Sequence, residues 1–432
     1  MTSVAATLAP RRGACPGLSV PMASGDGLLA RLRPNGTIPL PAFTAVCEAA
    51  QQFGNGVMEV TSRGSIQIRG LTASSAPLFA DAVAALAIAA NDGLPIHSNA
   101  LAGLDPQEIL DAGHVADDLR AALARTSLPA RVSPKVSVVI DGGGTLGLDN
   151  LAADVRLRAD LINGNAVFQV GVAGDSATVT KLGVVASSDG AEAARRVLDV
   201  IAQQGRTARA RNVLATDGIW PFQAALAGLV VPLDRVGVRK PARITDPIGQ
   251  HLLRDGSFAF GVGLAFGHAK ATTLARLAQA AWNAGAAGIR VAPDRTLLAI
   301  GLTPQTVPRV AAEAETLGLV VRANDPQRYV VACAGAPICA AAHIAARSLA
   351  PAVAAAAEKY LDDDFRIHIS GCSKGCARTG AANLTVVGRP DGCAVIAIGT
   401  VHDEPITVTP TNELASVIVE FARAAKCESG HV

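Results

Sequence analysis

Four cysteines in the last quarter of the 432-residue chain have the type and spacing to hold a soft metal. Cys333-Ala-Gly-Ala-Pro-Ile-Cys339 reads C-x5-C, and Cys372-Ser-Lys-Gly-Cys376 reads C-x3-C. Two short turns that each present a pair of thiolates suit an iron-sulfur cluster or a zinc ion. Gly335, Gly371 and Gly375 lack a Cβ and allow backbone close to such a group. Zinc ribbons favour C-x2-C pairs, so the wider spacing favours a cluster of about four irons over zinc or unliganded thiols. Of the remaining cysteines, Cys47 and Cys393 fall in apolar patterns that predict inert burial, and Cys427 lies in a polar tail. Cys15 sits in a Pro/Gly turn able to present its sulfur to a site.

Basic residues are the second chemical signal. Arginine's planar fork binds carboxylates in bidentate fashion. Arginines gather at Arg31 and Arg33, at Arg63 and Arg69, at Arg206, Arg209 and Arg211, and at Arg239 and Arg243 with Lys240. Arg63 and Arg69 flank a tight turn. Strand alternation puts Ser65, Gln67 and Arg69 on one face and Ile66 and Ile68 on the other, which predicts a polar pocket wall. Lys374 and Arg378 bracket Cys376 and are expected to lower its thiolate pKa. The eight histidines form no metal-ligand spacing, although His343 and His368 lie near the cysteine segments. Asp141-Gly-Gly-Gly144 lacks the frame of a phosphate loop, so no nucleotide site is predicted.

The elements that must position these groups come in two copies. A helix over 41–53, strands over 57–61 and 65–71 and a helix over 76–90 return as a helix over 272–284, strands over 288–292 and 296–302 and a helix over 306–317. Aligning Gly301-Leu302 with Gly70-Leu71 sets the offset at 301 − 70 = 231 residues. Val136–Gly142 likewise matches Phe365–Gly371, and the segments at 153–155 and 166–168 match those at 382–384 and 394–396. The expected fold is α+β, a duplication with pseudo-twofold symmetry. It comprises a ferredoxin-like half-domain (14–92), a mixed α/β sheet domain without a cluster (96–215), a second half-domain (236–320) and a second sheet domain with the cysteines (325–428). Linkers are expected at 93–95, 218–223 and 237–256, and the glycine turn of the first copy is expected to shape a binding surface.

Composition limits the function classes. Half the residues are hydrophobic, enough for a large interior, whereas aromatics at 3% leave few platforms for stacking single-stranded nucleic acid. A net charge of +2 implies no bulk attraction to nucleic acid or membrane, so anion recognition has to be local. No secretory leader or uncharged span of about 20 residues is evident, which makes a soluble cytoplasmic protein the simplest expectation.

The duplicated halves, the Thr61-Ser-Arg63-x3-Gln67 hairpin and the cysteine spacings together resemble the sulfite and nitrite reductases, which pair a four-iron cluster with a tetrapyrrole. The chain is most similar to the branch of that family that hydroxylates a tetrapyrrole in aerobic cobalamin synthesis. The stretches that carry this are Arg11–Gly17, Glu59–Leu71, Leu101–Pro106, Asp141–Gly144 and Ser370–Ala377. The resemblance implies a 4Fe-4S cluster on Cys333, Cys339, Cys372 and Cys376, and substrate contacts from Arg63, Gln67, Arg69, Lys135, Lys374 and Arg378. It implies an iron-sulfur monooxygenase that uses O2 to hydroxylate precorrin-3A at C20 while a ring A acetate closes a lactone, with an NADH-linked electron donor. It leaves room for a further non-haem iron or for sirohaem, and it names no catalytic residue. The chain departs from the reductases where they carry Lys-aromatic-Lys, having Lys135-Val136-Ser137. It also has His97-Ser98-Asn99 where the family tends to have Arg-Asn. The alternative expectations are a sirohaem sulfite or nitrite reductase and a noncatalytic iron-sulfur electron carrier.

Overall fold

A computed structural model of the chain describes residues 16–231, 245–362, 364–378 and 380–428, the side chains of 427 and 428 excepted. Cys15 and its turn, and the basic residues Arg239, Lys240 and Arg243, lie outside the described residues, as does the side chain of Cys427.

Each copy builds one small and one large five-stranded sheet. In the first small sheet the hairpin of Met22–Ser24 and Gly27–Leu32 pairs with Ile66–Leu71, which pairs with Val57–Val60. The outer strand on that side is His268–Lys270, from the second copy. The second small sheet repeats this order with Gly249–Leu252, Phe258–Gly263, Thr296–Leu302 and Gly288–Ala292, and it ends on Ile38–Pro39 from the first copy. The two half-domains therefore exchange edge strands. Neither keeps an interior of its own.

Helix Leu40–Phe53 shows why. Pro41 opens it, where a missing N–H costs nothing, and Leu40, Phe43, Val46, Cys47 and Ala50 recur along one buried face. That face enters an interior shared with Leu274, Leu277 and Ala281 of helix Ala271–Asn283 and with Ile68 and Leu297 of the two sheets. Cys47 is fully buried there, and burial, then the nearby Glu48 charge, pushes its thiol up to about 12, which makes it inert.

The large sheets share one pattern, with three strands parallel and two antiparallel. Ile96–Ser98, Val138–Asp141, Ala153–Ile162, Asn165–Gly174 and Thr180–Ala186 form the first. Val330–Ala332, Ile367–Ser370, Ala382–Arg389, Gly392–Gly399 and Thr407–Thr409 form the second. Two expected linkers are structured instead. Helix Trp220–Ala225 begins inside the expected 218–223 linker, because Phe222 and Leu226, four residues apart, both reach the first large interior. Strand Gly249–Leu252 lies within the expected 237–256 linker. Among the described residues no helix is long and apolar enough to cross a membrane.

Because one interior serves both half-domains, Phe43→Ala is expected to cost about 3–5 kcal/mol and to lower a single unfolding transition. Two separated transitions in calorimetry, only one of them shifted, would contradict the shared core.

Candidate functional site

A cavity of about 1000 Å³ opens where the two half-domains meet both large sheets, and all four candidate cysteines line it. Strand Ile367–Ser370 carries the chain into Cys372, and its register with Val330–Ala332 brings Cys333 alongside. The Gly371 N–H donates to Cys333 Sγ at 3.0 Å, and Cys333 is further enclosed so that burial pushes its thiol above the ordinary range. The first copy completes the cysteine wall. Ala340 N–H donates to the Gly25 carbonyl at 3.1 Å, and a Cβ on Gly25 would lie 2.2 Å from Cys339 Sγ. Only glycine fits at that approach.

Opposite the cysteines stands the hairpin of the first copy. Ile66 and Ile68 are buried, and Ser65, Gln67 and Arg69 line the cavity, as alternation predicts. Arg69 is not presented free to a ligand, however. Its Nε and Nη2 bind both oxygens of Asp26 at 2.8 and 2.7 Å, and its Nη1 lies 3.4 Å from Glu59. Burial opposes ionisation of Asp26, but the hydrogen bonds and charge of Arg69 outweigh it and hold the carboxyl below its usual range. Arg69 thus clamps the Gly25-Asp26 turn against Cys339. Gln67 donates to Glu59 at 2.8 Å and accepts from Arg31 Nε at 3.1 Å. Arg63 lines the cavity and donates to the Ala152 carbonyl at 2.8 Å. Lys135 and Lys374 are exposed on its rim.

Arg378 is the one expected contact that does not line the cavity. Its Nε donates to Ala381 O at 2.9 Å in its own loop. Nor do Lys374 and Arg378 depress Cys376. Burial and the charges of the other three cysteines push that thiol up, and the cation opposing this is Arg69. The glycine turn of the first copy is also not a binding surface. A Cβ on Gly142 would meet Leu110 O at 2.3 Å, and the Asp141 carboxylate is used up by Gly143 N–H and Leu148 N–H at 2.9 Å each. The turn is packed under the 104–110 segment and away from the cavity.

Several cavity groups escape a reading of the sequence alone. Arg295, half-buried at the wall, occupies the position equivalent to Gly64 at the 231-residue offset (64 + 231 = 295), a substitution the repeat makes visible. Arg209, by contrast, belongs to an arginine cluster already visible in the sequence; it lines the wall but is held by Asp154 at 2.8–3.0 Å. Glu59 is the one carboxylate among the described lining residues, against six arginines and two lysines. Arg347, from helix Ala346–Ala357, binds Glu59 at 2.7 Å, yet its Nε and Nη1 are buried with no protein acceptor.

Those orphaned donors bear on the metal. Among the described residues no three His, Cys, Asp or Glu side chains converge on a single metal ion. The four thiols line one cavity, and the Arg347 guanidinium, close enough to Cys333 to feel its charge, keeps two buried N–H groups without a protein acceptor. A sulfide-rich, anionic group fits this arrangement, since each buried donor left unpaired costs about 1–3 kcal/mol.

Residues 20–86 match the nitrite/sulfite reductase ferredoxin-like half domain. A precorrin-3B synthase of Sinorhizobium sp. is 35% identical over 99% of this chain and 92% of its own length. The chain belongs to the precorrin-3B synthase family. The ferredoxin-nitrite reductase of Synechococcus elongatus is similar at 24% identity over 84% of this chain and 77% of its own. The NirA protein structure from Mycobacterium tuberculosis superposes with a TM-score of 0.73 at 19% identity, covering 92% of this chain and 83% of that one, which shows the duplicated reductase fold. Kinship between precorrin-3B synthases and the reductases implies an iron-sulfur cluster and sirohaem as the cofactors of the wider family. The cysteine quartet and Arg347 fit the cluster, and the cavity reaches the upper end of ligand-pocket sizes, as a tetrapyrrole requires.

Three histidines around the cavity are held neutral. Burial, then Arg63, Arg33 and Arg31, pushes His97 down to about 3. Burial and then Arg347 take His268 to about 4, and burial with Arg378 and Arg295 does the same to His368. In the unfolded chain each protonates near 6.5, and in the folded chain it does not. Stability is therefore undisturbed above that pH and declines as pH falls from 6.5 toward 4. Imidazole ¹⁵N spectra are expected to show no titration of these three between about pH 8 and 5. A midpoint near 6.5 for any of them would contradict its assigned surroundings.

Proposed function

We propose that this protein catalyses the O2-dependent hydroxylation of precorrin-3A at C20, with closure of a ring A acetate onto the ring as a lactone. The observation that carries this reading is the single cavity shared by four cysteines and an arginine-rich wall. Precorrin-3A is a metal-free tetrapyrrole with eight carboxylates, and local cations are what a near-neutral protein must use to hold it. Arg63, Lys135 and Lys374 stand where they can take carboxylates, with Arg31 and Arg33 beside them. Arg69 and Gln67 shape the wall through Asp26 and Glu59.

Cys333, Cys339, Cys372 and Cys376 would hold a 4Fe-4S cluster, which supplies single electrons when bound. The balance is one oxygen atom into the substrate, the other released as water, and two electrons and two protons drawn from an NADH-linked donor. The cations of the wall would hold the tetrapyrrole's carboxylates, and neutral His97 leaves that task to the arginines and lysines. Ser137 favours this reading over sulfite or nitrite reduction. It lines the cavity at the end of Lys135-Val136-Ser137, where a second lysine would polarise a small oxyanion.

The test is anaerobic loading with precorrin-3A followed by O2 and a reductant, with mass analysis of the product. Gain of one oxygen is expected, and reduction of sulfite or nitrite without any tetrapyrrole turnover would overturn the reading. Cys372→Ser is expected to remove most of the iron and labile sulfide, and Arg63→Ala to weaken tetrapyrrole binding about tenfold.

A further inference from the structure

Beside the main cavity lies a second, polar one of about 380 Å³, sharing Arg33, Arg63, Ser65 and His97 with it as a common wall. Its far side is built from groups the proposed function has not used. Arg120 and Arg290 line it, from helix Ala112–Ala124 and strand Gly288–Ala292.

The charges there are only partly compensated. Arg290 donates to Thr37 Oγ1 at 2.7 Å and to the Ala100 and Ala102 carbonyls at 3.1 and 2.8 Å, all neutral acceptors. Arg120 is paired with Asp117 at 2.7 Å, but its buried Nε has no partner. The other lining acid, Asp111, spends one oxygen on Gly113 N–H and His114 N–H at the start of its helix. Arg290 makes no ion pair among the described residues, although the charges of Asp111 and Glu108 lie near it, and a guanidinium without a bonded carboxylate beside an orphaned N–H and a polar space suits an anion.

The duplication provides an internal control. Arg33-Pro-Asn-Gly36 corresponds to Leu264-Ala-Phe-Gly267, and Arg63-Gly64 to Asp294-Arg295, at the same 231-residue offset. The equivalent space in the second copy is lined by Phe266, Gly267 and Arg295 and has shrunk to about 20 Å³. The fold does not require this hollow. One copy has filled it with Phe266 and Arg295, and the other keeps Asn35 and Gly64 at its edge.

We propose that the annex is a carboxylate subsite, which takes an acetate arm of the tetrapyrrole held in the main cavity and so selects for substrates that retain their acetates, as uroporphyrin does and coproporphyrin does not. The proposal rests on the tetrapyrrole reading above. Its chemistry is that of one carboxylate received by Arg290 and Arg120 across the wall of Arg63 and His97.

The experiment compares uroporphyrin, with eight carboxylates, and coproporphyrin, with four, by fluorescence quenching on the cluster-loaded protein. Wild type, Arg290→Gln and Asn35→Phe are measured, the last filling the annex as Phe266 fills its counterpart while leaving every charge in place. Both variants are expected to bind uroporphyrin about tenfold more weakly and coproporphyrin unchanged. Equal weakening of both ligands, or no change in either, would overturn the subsite. Failure of the wild type to bind any porphyrin would instead remove the tetrapyrrole reading on which the subsite depends. Because Arg290→Gln also loses bonds to backbone carbonyls, Asn35→Phe decides the matter if that variant unfolds.

Discussion

The Glu59 carboxylate is the interaction on which the rest of the site depends. It accepts from Gln67 and Arg69 of its own half and from Arg347 of the other, and all three contacts are mostly shielded from water. Its strand also pairs with His268 of the exchanged strand, so backbone and side chain join the copies at one residue. Removing one partner of such a pair costs about 3–5 kcal/mol, because it strands buried charge. Without Glu59 the Arg347 guanidinium would be stranded, while Arg69 would keep Asp26. Arg69 in turn fixes Asp26 and the Gly25 turn on Cys339, and Arg347 lies near enough to Cys333 to feel its charge. A single half-buried acid thereby ties the Cys339 end of the C-x5-C pair to the helix that carries Arg347.

Duplication explains how one chain makes two unlike walls from one design. The second copy supplies cysteines at the end of strand Ile367–Ser370. The first has only glycines there, packed tightly under the 104–110 segment. In exchange, the first copy contributes the arginine hairpin and the second fills the equivalent space with Phe266 and Arg295. The strand exchange then locks these walls together through one interior. Rigid walls suit a flexible, polyanionic ligand, since the cations are already held in place before it arrives.

Much of this was legible in the residues. Alternation along 65–69 and the helical face of 40–53 follow from local periodicity, and both are found as expected. The cysteine quartet was legible because its spacing is local, and its four members do share one cavity. What periodicity could not show is pairing across the chain. The fate of Arg69 is decided by Asp26, 43 residues away, and that of Glu59 by Arg347, 288 residues away. Arg378 looked like a cavity cation from its place beside Cys376, but a loop carbonyl three residues on claims it. The exchanged strands are two or three residues long, too short for any periodic signal.

The central claim is that the cysteine-held centre and the tetrapyrrole share one cavity. The most direct test is the electron paramagnetic resonance spectrum of the reduced, cluster-loaded protein with and without saturating uroporphyrin. The shared cavity predicts a changed spectrum on binding, attenuated in Arg63→Ala at the same ligand concentration. An unchanged spectrum with uroporphyrin demonstrably bound would contradict it.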